Sequence, residues 1–198
     1  DRLKGKTYQD CTGTISVEGQ LFRCHDDQGH GRQTMPLAMR NSCNPFFIQL
    51  SQRLSGAALR QTAKALGFGQ EIPLTTGQVA SSGTLPTLQQ LQLPAERANF
   101  GFGQGILTAT PLQITRMTCA IAGDGTLPEV RLVRGITEDG RNVLRESSAR
   151  HSQGISAETA AYLRSLMCYA AADSDFAGKP KFTGFVHSRR RALRIPRP

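Results

Sequence analysis

The chain has 198 residues, 38% of them hydrophobic, with no tryptophan and a formal net charge of +9. That length and aliphatic content are enough for a buried core and exclude an intrinsically disordered composition, and no run of 18 apolar residues occurs that would read as a membrane-spanning helix. The charge is local: Ser188 to Pro198 holds Arg189, Arg190, Arg191, Arg194 and Arg197 without an acid, and setting these five aside leaves +4, which gives no general case for nucleic-acid binding.

In chain order, Asp1-Arg2-Leu3-Lys4 shows no signal-peptide pattern and reads as if cut from something longer. Residues 7–24 predict a hairpin, with Thr14, Ile15, Ser16 and Val17, a Glu18-Gly19 turn, then Leu21 and Phe22. His25 to Gly31 is a polar, glycine-punctuated loop. Five cysteines stand at 11, 24, 43, 119 and 168. Cys119 and Cys168 fall in helical apolar patterns and are expected to be buried thiols. Cys11 and Cys24 flank a polar segment and are candidates for a bridge in an oxidising compartment. Zinc on Cys11, Cys24, His25 and His30 is the alternative; that spacing fits no zinc pattern, so no metal and no cofactor are expected.

Met35 to Met39 reads as a short helix. After it, Asn41-Ser42-Cys43-Asn44-Pro45 predicts a loop-to-helix junction, with Asn44 as N-cap and Pro45 at the first helical position. Phe46, Phe47, Leu50 and Leu54 recur at helical spacing and give this helix a buried face. Ser42 and Asn44 are then small polar groups presented from a rigid support, suited to offering a hydroxyl and an amide to a ligand. An isolated Ser-x-Asn is more often a helix cap and nothing else.

Ser55 to Leu66 predicts a second helix, capped by Ser55 and stopped by Gly67. Residues 67–94, rich in Gly, Pro, Thr and Ser, read as a long irregular connection. Asn99 to Gly105 matches no nucleotide-binding fingerprint and is read as close backbone packing under a helix. Thr110-Pro111 starts a helix lined by Leu112, Ile114, Met117 and Ile121 and ended by Gly123. Val130 to Thr137 and Asn142 to Arg145 read as strands about a Glu138-Asp139-Gly140 turn. Ser156 caps a last helix with Tyr162, Leu163, Leu166 and Met167 on its apolar side, and Gly178 to Val186 is a candidate strand. Helices in the middle with strands near both ends favour an α+β fold.

The order Cys11-Thr12-Gly13, Cys24, His30-Gly31 and Ser42-Cys43-Asn44-Pro45-Phe46-Phe47 resembles the penicillin-binding proteins, the peptidoglycan transpeptidases. Leu66-Gly67-Phe68-Gly69 is similar too, and Gly103 to Ile114 (GQGILTATPLQI) is the most specific single stretch. Gly125 to Pro128 and Ile155 to Thr159 follow in the family's order, so the resemblance covers roughly residues 7 to 186.

The resemblance implies a partial β-lactamase/transpeptidase-like fold over 1–186, a helical subdomain with an incomplete antiparallel sheet; the arginine-rich composition of 187–198 reads separately as a basic, disordered tail. In this family Ser-x-x-Lys, Ser-x-Asn and Lys-Thr-Gly meet in one cleft. Ser42 matches the serine that passes a proton between the motif lysine and the leaving amine, and Asn44 the asparagine that binds the substrate amide. No serine or threonine lies three places before any lysine of this chain, so the nucleophile pair is missing and acyl transfer by the chain alone is not expected. Lys181-Phe182-Thr183-Gly184 reads as Lys-Thr-Gly with one residue inserted, which in a strand flips later side chains unless a bulge absorbs it; alternatively, Phe182 to Val186 resembles the family's following strand and Lys-Thr-Gly is deleted near Gly178-Lys179. The expected function is thus that of a fragment of a peptidoglycan cross-linking transpeptidase. The alternative is a non-catalytic relative that binds stem peptides or a protein partner. Peptidoglycan stem peptide and β-lactam are the partners the family implies, with a homodimer through exposed sheet edges and no nucleic acid. An extracytoplasmic, membrane-tethered location is implied by the resemblance alone.

Overall fold

The computed structural model describes residues 9–75, 78–133, 135–138, 140, 143–146 and 151–173. The candidate strand Gly178–Val186, the residues Lys181, Thr183 and Gly184, and the tail over 187–198 lie outside the described residues.

Strand β1 (Gln9–Cys11) pairs antiparallel with β4 (Gly31–Gln33), placing Cys11 opposite Gly31. Between them, β2 (Thr14–Val17) and β3 (Gln20–Arg23) form the expected hairpin, with Ile15 opposite Phe22. Its turn residues Glu18 and Gly19 both have positive φ, 47° and 82°, as a two-residue turn between twisted strands requires. Three helices follow: α1 (Met35–Arg40), α2 (Asn44–Gln52) and α3 (Gly56–Ala65). The Ser55 hydroxyl accepts the Ala58 N–H at 3.2 Å, so α3 starts at the predicted cap.

Residues 67–94 are more ordered than their composition predicts. They hold a hairpin of β5 (Ile72–Thr75) and β6 (Gln78–Ala80) and a 3-10 turn over Gln90–Gln92. Both strands are short, one contains Pro73, and the register shifts between Pro73 and Thr75, so no alternation shows in the sequence. Helix α4 (Pro94–Gly101), also unpredicted, packs on α2, and Gly101 is what allows it. A Cβ there would stand 2.5 Å from the Ser51 Cβ and 3.1 Å from the Phe47 carbonyl oxygen. This agrees with the close-packing reading of the glycine-rich stretch.

Helix α5 (Pro111–Ala122) opens on a capping box between Thr110 and Gln113. Strand β7 (Thr126–Pro128) pairs with β10 (His151–Gln153), and β8 (Gly135–Thr137) with β9 (Val143–Glu146), so the strand expected from Val130 begins only at Gly135. Helix α6 (Ala157–Asp173) packs against α1 and α5. Among the described residues every sheet is a two-stranded antiparallel pair, and the mixture of helix and short antiparallel strand is the α+β arrangement predicted.

Helix α2 separates two apolar clusters. Phe46 joins Cys11, Cys24, Ala38 and Cys43, while Ile48 joins Val17, Phe22 and Ala98. Burial of each large side chain contributes about 1.5–3 kcal/mol, which fixes α2 by contacts on both flanks. Four side chains expected to be buried are exposed. Cys119 and Cys168 are exposed, because each lies on the outward side of its helix. Ile114 and Met167 are likewise 44% and 42% exposed. In α5 the inward position next to Ile114 belongs to Gln113, which is completely buried.

Candidate functional site

The junction between α1 and α2 is built by the backbone. The Cys43 N–H donates to the Ala38 carbonyl at 3.0 Å and the Ser42 N–H to the Met39 carbonyl at 3.4 Å. This is a paired closure in which the residue after the C-cap turns left-handed, and Ser42 has φ 48°. A side chain in that conformation costs on the order of 1 kcal/mol. It also throws the Ser42 hydroxyl outward, and Ser42 is exposed while Cys43 beside it is fully buried.

Asn44 does not cap α2. The N-cap is Cys43, extended at φ −79° and ψ 98°, without a side-chain cap bond, and Asn44 is already helical. Its amide donates instead to the Arg23 carbonyl at 3.1 Å, tying the start of α2 to the exit of the β2–β3 hairpin. Pro45 is therefore the second helical residue rather than the first as expected, still within the first turn where its missing N–H costs nothing. Asn41, at the end of α1, donates to Gln33 Oε1 at 3.0 Å, and Gln33 Nε2 donates to the His30 carbonyl at 2.7 Å. Arg40 donates to Tyr169 Oη at 3.2 Å and so attaches α1 to α6. The two predicted polar groups therefore sit on a loop held from below by β4 and from behind by α6.

Beneath this loop lies a feature that spacing did not reveal. Cys11, Cys24, His30 and Cys43 present three sulfurs and a ring nitrogen that all lie within 4.8 Å of one another. His30 Nδ1 stands 3.4 Å from Cys24 Sγ and 3.7 Å from Cys11 Sγ. The group closes with Cys43 where the sequence pattern suggested His25, whose Nδ1 lies 4.0 Å from Cys24 Sγ. Cys43 gave no signal because it sits inside the Ser-x-Asn stretch, 13 residues from His30, and reaches the group only through the turn after α1. Burial pushes the Cys11 thiol up, but hydrogen bonds involving the backbone at His30 and Gly13 and the Cys43 and Cys24 thiols outweigh it, and the net shift is down. Burial pushes Cys43 well above an ordinary thiol. Burial also lowers His30, aided by His25 and opposed by Asp26.

Elsewhere, a hollow of about 210 Å³ is lined by Ile72, Pro73, Arg116, Leu127, Glu129, Val130, His151 and Ser152 and shares no residue with the Ser42 loop. Arg116 there is lowered by burial, with Glu129 opposing. No described helix is long and apolar enough to cross a membrane.

The profile of the penicillin binding protein transpeptidase domain matches residues 2–184. Stage V sporulation protein D of Bacillus subtilis is 33% identical over 156 residues, covering 77% of this chain and 23% of that protein. Peptidoglycan D,D-transpeptidase MrdA of Escherichia coli is 26% identical over 122 residues, 58% of this chain and 19% of its own length. In three dimensions the chain resembles penicillin-binding protein A of M. tuberculosis, solved as a penicillin G acyl-enzyme complex, with a TM-score of 0.76 at 23% identity over 84% of this chain and 39% of that one. The D,D-transpeptidase domain of an Eggerthella lenta peptidoglycan glycosyltransferase gives 0.76 at 21% identity, covering 85% and 43%. The chain thus spans about a quarter or less of the curated relatives named and two-fifths of the solved structures. Across nearly its whole length, it belongs to the penicillin-binding protein transpeptidase domain family.

Proposed function

We propose that the chain supplies the Ser-x-Asn wall of a peptidoglycan transpeptidase cleft, with Ser42 passing a proton and Asn44 holding the amide of a stem peptide or β-lactam. The observation that supports this is the exposed, left-handed Ser42 on a junction braced by two backbone bonds. One amide hydrogen of Asn44 is spent on Arg23, which fixes its plane and leaves the rest of the carboxamide for a ligand. Lys181, Thr183 and Gly184 are proposed as the bulged counterpart of Lys-Thr-Gly that would face it. With no Ser-x-x-Lys in the sequence, a serine lacks the adjacent base that acylation needs, so the chain is inactive by itself. The whole protein would act outside the cytoplasm, on the cell wall.

A labelled penicillin is expected to leave no covalent adduct on the chain, and a stable acyl group on Ser42 would overturn this reading. Reversible binding of a peptide ending in D-Ala-D-Ala, followed by amide chemical shifts, is expected to centre on residues 41–44 and to weaken in Asn44→Ala. Binding that ignores that substitution sinks the role given to Asn44. Among the described residues each sheet is two-stranded and has edges without a further strand, and Leu132, Val133 and, within β8, Ile136 are exposed. Self-association through these edges is therefore proposed, and light scattering showing only monomer at high concentration would dismiss it.

A further inference from the structure

We infer that Arg40 and Tyr169 are a positioning pair for the Ser42–Asn44 loop. The Arg40 guanidinium clamps the loop to α6 through Asn41, and so fixes the direction in which Ser42 and Asn44 meet a peptide. For its ligand the inference rests on the cleft reading above; for the clamp it rests on geometry alone.

The loop has little of its own to hold it. Helix α1 has six residues, well short of the length at which a helix persists unaided. The Ser42 N–H bond to the Met39 carbonyl is long, 3.4 Å, and it closes a left-handed residue. Any shift at the end of α1 therefore passes straight into the Ser42 hydroxyl. Arg40 stands at that end. Its Nε donates to Asn41 Oδ1 at 3.1 Å and its Nη1 to Tyr169 Oη at 3.2 Å. The guanidinium carbon also lies over the Tyr169 ring, 5.6 Å from its centre, and a cation over a ring face adds to the hydrogen bond. Both side chains are half-buried, which weakens the competition from water.

The run of bonds has one direction. The carbonyls of His30 and Arg32 only accept, so the Gln33 amide nitrogen must face them, at 2.7 and 3.2 Å. Gln33 Oε1 is then turned to the Asn41 amide at 3.0 Å, and Asn41 Oδ1 to Arg40, which only donates. Gln33 is 3% exposed, so neither amide can turn over without setting like groups face to face in a buried place. Asn41 is thus gripped on both sides, and it is the residue from which the chain enters Ser42. The far end of the run stands on α6, which packs against α1 and precedes Lys181, Thr183 and Gly184 in sequence. One side chain ties the helix ahead of the proposed Lys-Thr-Gly counterpart to the loop that carries Ser-x-Asn. Lysine is no substitute, because a single ammonium lacks the planar fork that aims Nε and Nη1 at two partners at once.

The full chain is followed by amide hydrogen exchange without ligand, then by its affinity for a peptide ending in D-Ala-D-Ala. Arg40→Met keeps the apolar stem and removes the fork. It is expected to strip protection from the Cys43 N–H and the Asn41 side-chain amide while α2 stays protected. Peptide binding should weaken about tenfold, as for a loop that is competent roughly a tenth of the time. Tyr169→Phe keeps the ring and its packing and loses only the hydroxyl, so a fall in affinity of about threefold is expected. In the Arg40→Met background the same change should do nothing, because the bond is already gone. Arg40→Lys should behave like Arg40→Met. Additive losses in the double variant, full recovery by lysine, or exchange quickened equally across α1 and α2 overturn the clamp. If the wild-type chain binds no peptide, the cleft reading fails, whereas the clamp fails only if Cys43 exchange is unchanged in Arg40→Met.

Discussion

Gln113 and Ser82, 31 residues apart, are joined by a hydrogen bond in which the fully buried Gln113 amide donates to the Ser82 carbonyl at 2.8 Å. The same amide reaches the Gly67 carbonyl at 3.1 Å, and its oxygen accepts the Thr110 N–H at 2.9 Å. One side chain thus caps α5 and satisfies backbone carbonyls on both sides of the β5–β6 hairpin. Gln113→Leu removes the partners of one buried and two half-buried groups, and a fully buried one costs about 1–3 kcal/mol when left unsatisfied. The expected loss is about 3 kcal/mol by urea denaturation, with faster hydrogen exchange over 67–84. A cost below 1 kcal/mol would mean the segment is held by something else.

Ser42 occupies left-handed backbone, where a β-branched side chain is strained. Ser42→Val is expected to destabilise the chain by about 1–2 kcal/mol and Ser42→Gly by almost nothing, since relief of strain offsets the added freedom of the unfolded chain. Paired thermal melts of the two variants check this; equal losses would show that the Ser42 side chain, not its backbone, is what matters for stability.

Gly101 separates α4 from α2 by the width of a missing methyl group, with Ser51 Oγ 2.7 Å from where a Cβ would stand. Gly101→Ala is expected to cost about 2 kcal/mol by overpacking, and Ser51→Gly in the same chain should recover part of it, because the two sites touch. Strict additivity in the double variant would argue against this contact.

Asp124 is held below its ordinary 3.8 by hydrogen bonds from Thr126, with the field of His151 adding to them. A carboxyl lowered on folding adds stability above its unfolded pKa, and that stability is lost as pH falls through the folded one. Because Asp124 is exposed, the effect is small. Asp124→Asn should flatten the acid limb of the stability profile below pH ~4 and leave neutral pH nearly unchanged. Denaturation midpoints at neutral and acid pH test it.

What the sequence alone determined is local. Alternation and Glu18-Gly19 set the first hairpin, and cap residues Ser55, Thr110 and Ser156 set the starts of three helices. Pro45 and the apolar run after it placed Ser42 and Asn44 at a junction. These features are legible because each rests on hydrogen bonds within a few residues and on the periodicity of one element. Only the tertiary structure decided that Gln113 rather than Ile114 points inward, that Cys119 and Cys168 face out, and that Asn44 spends its amide on Arg23 rather than on a cap. It alone brought Cys43 to Cys11, Cys24 and His30, because that meeting depends on β1, paired with β4, packing against α2. No spacing along the chain encodes a contact among groups carried by four separate elements.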